Sequence, residues 1–170
     1  MDQPDFTIRP EGAQDLPAIR RLTTDAFRAA PHASGTEAAI SDALREAGAL
    51  TLSLVAVEGG SIVGHVAFSP VTIDGSSGPW HGLGPVSVRP DRQRAGIGRA
   101  LIEEGLARLR RQGTQVCVVL GDPAYYGRFG FRSDPGLRYG DVPPEYFQRL
   151  VISGPPPAGE VAYHPAFGVA

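Results

Sequence analysis

The sequence predicts one mixed α/β domain of the α+β kind, and three observations lead there. The 170 residues are 42% hydrophobic and 20% charged, ordinary globular proportions at a length that a single core can serve. Short β-rich runs alternate with segments of helical apolar spacing. One stretch, Val86 to Ile102 (VSVRPDRQRAGIGRALI), leads a strand through a glycine-rich, arginine-flanked turn straight into a helix.

In chain order, Phe6 to Arg9 reads as a short edge-like strand. Asp15 to Ala29 carries Leu16, Ile19, Leu22 and Phe27 near helical spacing. Pro31 to Gly35 is a breaker-rich loop, and Thr36 to Ala47 is again helical, with Ala39, Ile40, Leu44 and Ala47 on an inward stripe. Leu50 to Val57 and Ser61 to Ile73 are β-rich runs joined by Gly59-Gly60, which predicts an antiparallel hairpin. After a turn at Asp74 to Gly78, Trp80 to Val88 is the strand that feeds the glycine turn. Gly98 to Gln112 puts Leu101, Ile102, Leu106 and Leu109 on one side of a helix that stops at Gly113.

Gln115 to Leu120 is a short apolar run bounded by Gly113 and Gly121-Asp122-Pro123, the pattern of a buried strand. Pro135 to Gly159 is rich in Pro and Gly and reads as a long connection around a short helix at Glu145 to Leu150. Glu160 to His164 supplies the last strand, giving the order β-α-α-β-β-β-α-β-α-β. No repeat or second domain is visible, so residues 1–170 are read as one domain.

Composition narrows the partners. The net charge of −2 leaves no nucleic-acid footprint. No apolar run has spanning length, and Met1 to Glu11 lacks a signal-peptide layout, so a cytoplasmic protein without a membrane partner is expected. The single cysteine, Cys117, sits in the middle of the buried strand and reads as a small core residue. Metal ligation is not expected. Positive charge is local: Arg89, Arg92, Arg94, Arg99, Arg108, Arg110 and Arg111 crowd one strand-turn-helix unit. Arg108 to Arg111 read as a solvated helix end, favoured by the dipole, and Arg92, Arg94 and Arg99 as partners for ligand phosphates.

The glycine turn has the build of a pyrophosphate site. The first turn of a helix has backbone N–H groups without helical partners and carries the positive dipole end, so an anion settles there. Gly96 and Gly98 allow a tight turn and a close approach of phosphate to the amides of Ile97, Gly98 and Arg99. A Walker A loop needs Gly-Lys-Ser/Thr, and the chain contains no lysine. A dinucleotide-binding fingerprint wants a third Gly or Ala where Leu101 stands.

Gln93-Arg94-Ala95-Gly96-Ile97-Gly98 resembles instead the Gln/Arg-x-x-Gly-x-Gly/Ala signature of the GNAT N-acyltransferase superfamily, and Val86, Val88 and Pro90 resemble that family's strand entry. A second, independent block, Ala124-Tyr125-Tyr126-Gly127-Arg128-Phe129-Gly130-Phe131, is similar to the family's helix ending Tyr-x-x-x-Gly-Phe. Gly121 to Phe131, Val142 to Phe147 and Val161 to Phe167 together look like a bacterial YhbS-like branch of predicted N-acetyltransferases, mostly without assigned substrates.

The resemblance implies the GNAT fold: a central mixed, mostly antiparallel sheet, splayed in a V between the fourth and fifth strands, with helices on both faces. It implies acetyl-CoA as acyl-donor cosubstrate, contacted by Val86, Ser87, Val88, Gln93, Arg94, Ala95, Gly96, Ile97, Gly98, Arg99, Tyr125 and Arg128. In such a gap the backbone groups of Val86 and Val88 bond the pantetheine arm as though it were an added strand. The acceptor implied is a small-molecule amine or a protein amine. A homodimer is common among relatives, though no exposed apolar stripe demands one here.

The resemblance also puts the Tyr126 hydroxyl near the thioester sulfur, which makes it the candidate general acid. A phenol of pKa ~10 is close enough to an alkyl thiol to share a proton with it. Tyr125 then packs or lines the pocket. His81, on the gap-forming strand, is the candidate base, with a half-buried strand-end histidine as the competing reading. His65 and His164 have no better claim. Asp122 either orients a water or caps the helix at Pro123, with capping preferred. Tyr163 to Phe167 either line the acceptor pocket or close the last strand. Two functions follow: an N-acyltransferase, or a non-catalytic acyl-CoA-binding sensor or scaffold module.

Overall fold

The computed structural model describes residues 5–28 and 37–168. The elements are β1 (Thr7–Pro10), α1 (Leu16–Arg28), α2 (Glu37–Glu46), β2 (Leu52–Glu58), β3 (Ser61–Ile73), β4 (Trp80–Val88), α3 (Ile97–Arg111), β5 (Val116–Leu120), α4 (Pro123–Tyr126), β6 (Leu137–Arg138), β7 (Phe147–Val151) and β8 (Gly159–Tyr163). The loop expected at Pro31 to Gly35 and the helix start at Thr36 lie outside the described residues. Among the described residues no helix is long and apolar enough to cross a membrane.

The main path of the sheet runs β1-β2-β3-β4-β5-β7, with β8 pairing both β3 and β6. Neighbours on that path are antiparallel except β4 and β5, which run parallel. The β2–β3 hairpin turns where expected, on two positive-φ glycines, Gly59 (56°) and Gly60 (80°), the pair that a twisted two-residue turn demands.

Helices cover both faces. On β3, Gly64 faces α3: a Cβ there would stand 2.7 Å from Ile97 and 2.9 Å from Leu101. The next residue, His65, points to the opposite face, because its cross-strand neighbour Ser87 reaches Thr23 of α1. The main core lies on the α3 side, where Leu101, Ile102, Leu106 and Leu109 meet Val66, Phe68 and Cys117. Helix and sheet approach so closely that a Cβ on Gly105 would stand 2.2 Å from Phe68.

One expected element is corrected. Glu145 to Leu150 is not a helix: a short 3-10 turn at Pro144–Tyr146 leads into β7, which pairs with β5 from Val116↔Val151 to Leu120↔Phe147. The free edge of a buried strand needs a ladder partner, and that tertiary demand overrides the helical tendency of the local sequence. Within the same connection, Leu137–Arg138 forms the short strand β6 beside β8. Tyr163 to Phe167 close the last strand: Tyr163 ends β8, and Ala166 and Phe167 pack on Ile40 and Leu44 of α2.

Candidate active site

The parallel ladder between β4 and β5 is short. Trp80, His81 and Gly82 pair with Val116, Cys117 and Val118, and no pairing follows from Leu83 onward. The two strands part there, which leaves one edge of β4 open. Arg89 N–H donates to the Val63 carbonyl at 2.8 Å, so Arg89 and Ser87 direct their backbone groups toward β3. By the alternation of an antiparallel ladder, the N–H and C=O groups of Val86 and Val88 point the other way, into the gap.

A cleft of about 770 Å³ opens at this edge, lined by Ala26, Phe27, Val86, Ser87, Val88, Gln93, Arg94, Gly96, Ile97, Gly98, Arg99, Tyr125 and Arg128. Its floor is the glycine turn. Gly96 caps α3 in the left-handed region (φ 85°), and among the described residues no side chain caps the first amides of the helix. Those N–H groups face the cleft with the positive end of the dipole behind them. Arg94 also has positive φ, 67°, an uncommon conformation for a side-chain-bearing residue. Gln93 folds back over the turn and donates from Nε2 to the Val88 carbonyl at 3.2 Å.

Among the described residues the lining holds three arginines, Arg94, Arg99 and Arg128, and no acidic residue. Arg99 shares its charge with Glu103 one turn along, at 2.9 Å on an exposed face. Arg128 lies over the ring of Tyr125, 5.4 Å from its centroid. A site with open strand edge, uncapped helix start and unbalanced positive charge suits an extended ligand that ends in phosphates.

Most of the expected contact residues meet in this cleft, with two exceptions. Ala95 sits on the far side of the turn, where it lines a separate groove with Phe6, Ile8 and Ala100. Arg92, expected at the phosphates, turns to β2 and pairs with Glu58 at 2.6 Å. The Ser87 side chain is buried and its hydroxyl lies 3.4 Å from that of Thr23, so Ser87 meets the cleft from beneath α1.

The two tyrosines take different places. Tyr125 lines the cleft, its hydroxyl 3.2 Å from where a Cβ on Gly98 would stand. Tyr126 stands edge-on behind it at 5.0 Å, packed against Phe131 and against the bare backbone of Gly121. Burial is the main cause that pushes the Tyr126 phenol well above its usual range. Tyr125 is raised as well, by burial, with Arg128 acting against it. Asp122 Oδ1 accepts from the Ala124 N–H at 2.9 Å, so it caps α4.

His81 is not part of the cleft. It lies in the closed portion of the β4–β5 ladder beside Cys117, and its Nδ1 is 3.1 Å from Thr114 Oγ1. Burial lowers its pKa, so the ring is neutral at physiological pH. Cys117 is fully buried, and burial raises its thiol far above the range of a reactive cysteine.

Comparison with known proteins gives a consistent result. A family model described as an acetyltransferase (GNAT) domain matches residues 7–133. An Escherichia coli K12 protein, the uncharacterized N-acetyltransferase YhbS, is 42% identical over 125 residues, 73% of this chain and 72% of that one. A GNAT family acetyltransferase from Brucella melitensis, solved in complex with acetyl-CoA, is 50% identical and superposes with a TM-score of 0.87 over 97% of this chain and 99% of its own. YhbS from Escherichia coli, solved in complex with CoA, superposes with a TM-score of 0.89 at 35% identity over 99% and 95%.

Proposed function

The chain belongs to the GNAT acetyltransferase family, and from that premise we propose that it moves an acetyl group from the thioester of acetyl-CoA to a primary amine by direct attack in a ternary complex. One observation carries the reading. The open edge of β4 at Val86 and Val88 runs into the uncapped start of α3, in a cleft whose lining among the described residues holds three arginines and no acid. The solved relatives from Brucella melitensis and Escherichia coli that hold acetyl-CoA and CoA support the choice of ligand.

In this reading the pyrophosphate sits on the amides of Ile97, Gly98 and Arg99, with Arg94 and Arg128 closing the rim. The pantetheine arm extends along β4, where Val86 and Val88 offer one strand's worth of donors and acceptors. The thioester then comes to the point where β4 and β5 part. Attack by the amine builds charge first on the carbonyl oxygen and then on the departing sulfur.

We assign the second charge to Tyr126 on the family resemblance of Tyr126-Gly127-Arg128-Phe129-Gly130-Phe131; its ring stands one layer behind the cleft-lining Tyr125, at 5.0 Å. Burial holds the Tyr126 phenol protonated across the physiological range, so the hydroxyl is a standing hydrogen-bond donor. Among the described residues that hydroxyl has no side-chain or backbone partner to compete with a sulfur. A phenol raised above ~10 is a weaker acid than a free thiol at ~8.5, so its main contribution is to stabilise the thiolate as it forms. His81, away from the cleft, is read as a structural residue.

The test is release of free CoA thiol from acetyl-CoA across a panel of amines that includes a polyamine, an aromatic amine and a peptide N-terminus. The expected result is turnover with at least one amine that falls when Tyr126 is changed to Phe. Tight acetyl-CoA binding with no turnover across a broad panel would favour a non-catalytic acyl-CoA-binding module instead.

A further inference from the structure

The point where β4 and β5 part has a second neighbour, on the sheet face opposite α3. Gly82 and Val118 are the last residues of the ladder to pair. Cys117 and Val119 pack on the α3 side, so Val118 between them faces the other way. There the Tyr163 ring covers Gly82, so closely that a Cβ on the glycine would stand 2.6 Å from it. Tyr163 meets Tyr139 edge-on at 5.0 Å, and Tyr139 lies 5.5 Å from Phe147. This aromatic line, packed on Val118, leads from the parting of the strands to a pocket of about 260 Å³.

The pocket walls are mostly apolar: Pro135, Leu137, Tyr139, Val142, Pro144 and Phe147. The polar groups at its edge are already answered within the protein. Asp134 accepts from the Gly136 N–H at 2.8 Å and from Arg149 Nε at 3.2 Å, Arg138 turns to Glu160 at 3.5 Å, and Ser133 donates to the Pro144 carbonyl at 2.7 Å. Among the described residues an occupant therefore meets no unpaired charge, which favours a neutral ring laid on Tyr139 and Phe147 over a second ammonium. Drug-sized sites run to about 300–1,000 Å³, so this one suits a single ring.

Leu120 joins the pocket to the parting. It pairs with Phe147 and, two residues beyond Val118, shares that residue's face of the sheet. Among the described residues it is one of two large hydrophobic side chains left exposed, at 45%. The other is Tyr146, beside it, whose carbonyl accepts from the Gly121 N–H at 2.9 Å. Two steps along a strand cover ~6.6 Å and one step across covers ~5 Å, so Val118 and Phe147 lie roughly 8 Å apart. A short alkyl arm spans that distance.

We propose that this pocket seats the far end of the acceptor, and that the acceptor is an arylalkylamine: its primary amine at the parting of β4 and β5, its alkyl arm across Leu120, and its ring against Tyr139 and Phe147. The proposal rests on the acetyl-transfer reading of the cleft and narrows the acceptor within it. In the transfer an N–C bond forms at the acetyl carbon, and the C–S bond breaks with its electron pair going to the CoA sulfur. The amine gives up one proton, which the sulfur or the solvent takes.

The experiment compares phenethylamine, propylamine and spermidine as acceptors with acetyl-CoA, and follows phenethylamine binding to the CoA-bound protein by ligand-observed NMR. The kcat/KM for phenethylamine is expected to exceed that of the other two by at least about 10-fold. Val142→Trp, which fills the pocket, should cut the phenethylamine-to-propylamine ratio about 10-fold through KM and abolish the NMR signal. Leu120→Ser, at an exposed position that carries little of the fold, should lower the same ratio about 5-fold. Acetyl-CoA titration of each variant checks that it is folded. Equal kcat/KM for the three amines, no phenethylamine binding by the parent, or a ratio unmoved in both variants overturns the proposal and leaves acetyl transfer standing. A parent that binds phenethylamine but acetylates no amine overturns the acetyl-transfer reading, and the acceptor seat with it.

Discussion

Gly98 and Tyr125 meet across the mouth of the cleft, where the tyrosine hydroxyl stands 3.2 Å from the place a Cβ on Gly98 would take. The bare glycine leaves the first-turn amides of α3 open to a ligand and leaves room for the ring beside them. Gly98→Asp sets a carboxylate against the pyrophosphate position while the backbone there stays helical. Acetyl-CoA affinity is expected to fall at least about 30-fold, roughly 2 kcal/mol, with little change in Tm. Calorimetry and thermal melts on the variant check both halves.

Tyr126→Phe keeps the ring that packs on Gly121 and Phe131 and removes only the hydroxyl. The turnover rate should drop by about 100-fold, with acetyl-CoA affinity within about twofold of the parent. Steady-state kinetics beside direct titration separate the two quantities. Equal turnover in the variant and the parent would remove Tyr126 from the chemistry.

Gly105→Ala sets two effects against each other. Alanine is worth about 1 kcal/mol more than glycine in a helix interior. Here, however, the added Cβ would stand 2.2 Å from Phe68, itself fully buried, so helix and sheet must part or Phe68 must move. Overpacking costs about 1–3 kcal/mol, and a clash this close belongs at the upper end. The variant should melt below the parent, and a higher Tm would mean that α3 rides further from β3 than described.

Glu11, which accepts two bonds from Arg45, makes part of the stability sensitive to acid. Its folded pKa lies below the ordinary carboxylate value of ~4.3, so its contribution is complete above that value and is lost as pH falls below it. Hydrogen bonds to a charged group of this kind contribute about 1.5–3 kcal/mol, with the lower end apt for a group partly open to solvent. Glu11→Gln should therefore cost stability at pH 7 and lessen the fall in Tm between pH 5 and pH 3. Melting curves at those three pH values read the difference.

Much of this architecture was legible in the residues because local and tertiary demands agree. The 3.6-residue stripe of α3, the Gly59-Gly60 hairpin and the glycine turn after β4 each carry their own signature, and the structure places them where the pattern puts them. β7 was hidden because Phe147 to Val151 does not alternate: Phe147 and Gln148 are both buried, the latter donating to the Gly121 carbonyl. Only the unpaired edge of β5 makes that segment a strand.

The cleft was legible for the same reason, since backbone amides at a helix start need only glycines and a strand before them. The hydrogen-bonded line from Glu11 through Ser53 to His65 was not. Its members lie 42 and 12 residues apart in sequence, and nothing local marks Ser53 as the bridge between them. Arg92 was misleading in the same way: its neighbours in sequence suggest phosphate, yet Glu58 across the sheet holds it.

The most direct test of the central claim is calorimetric titration of the purified protein with acetyl-CoA, CoA and NADPH in parallel. Binding of both CoA species and not of NADPH is the result expected from the open β4 edge and the arginine-rimmed turn. Absence of CoA binding at moderate salt, or equal binding of NADPH, would contradict the assignment of the cleft.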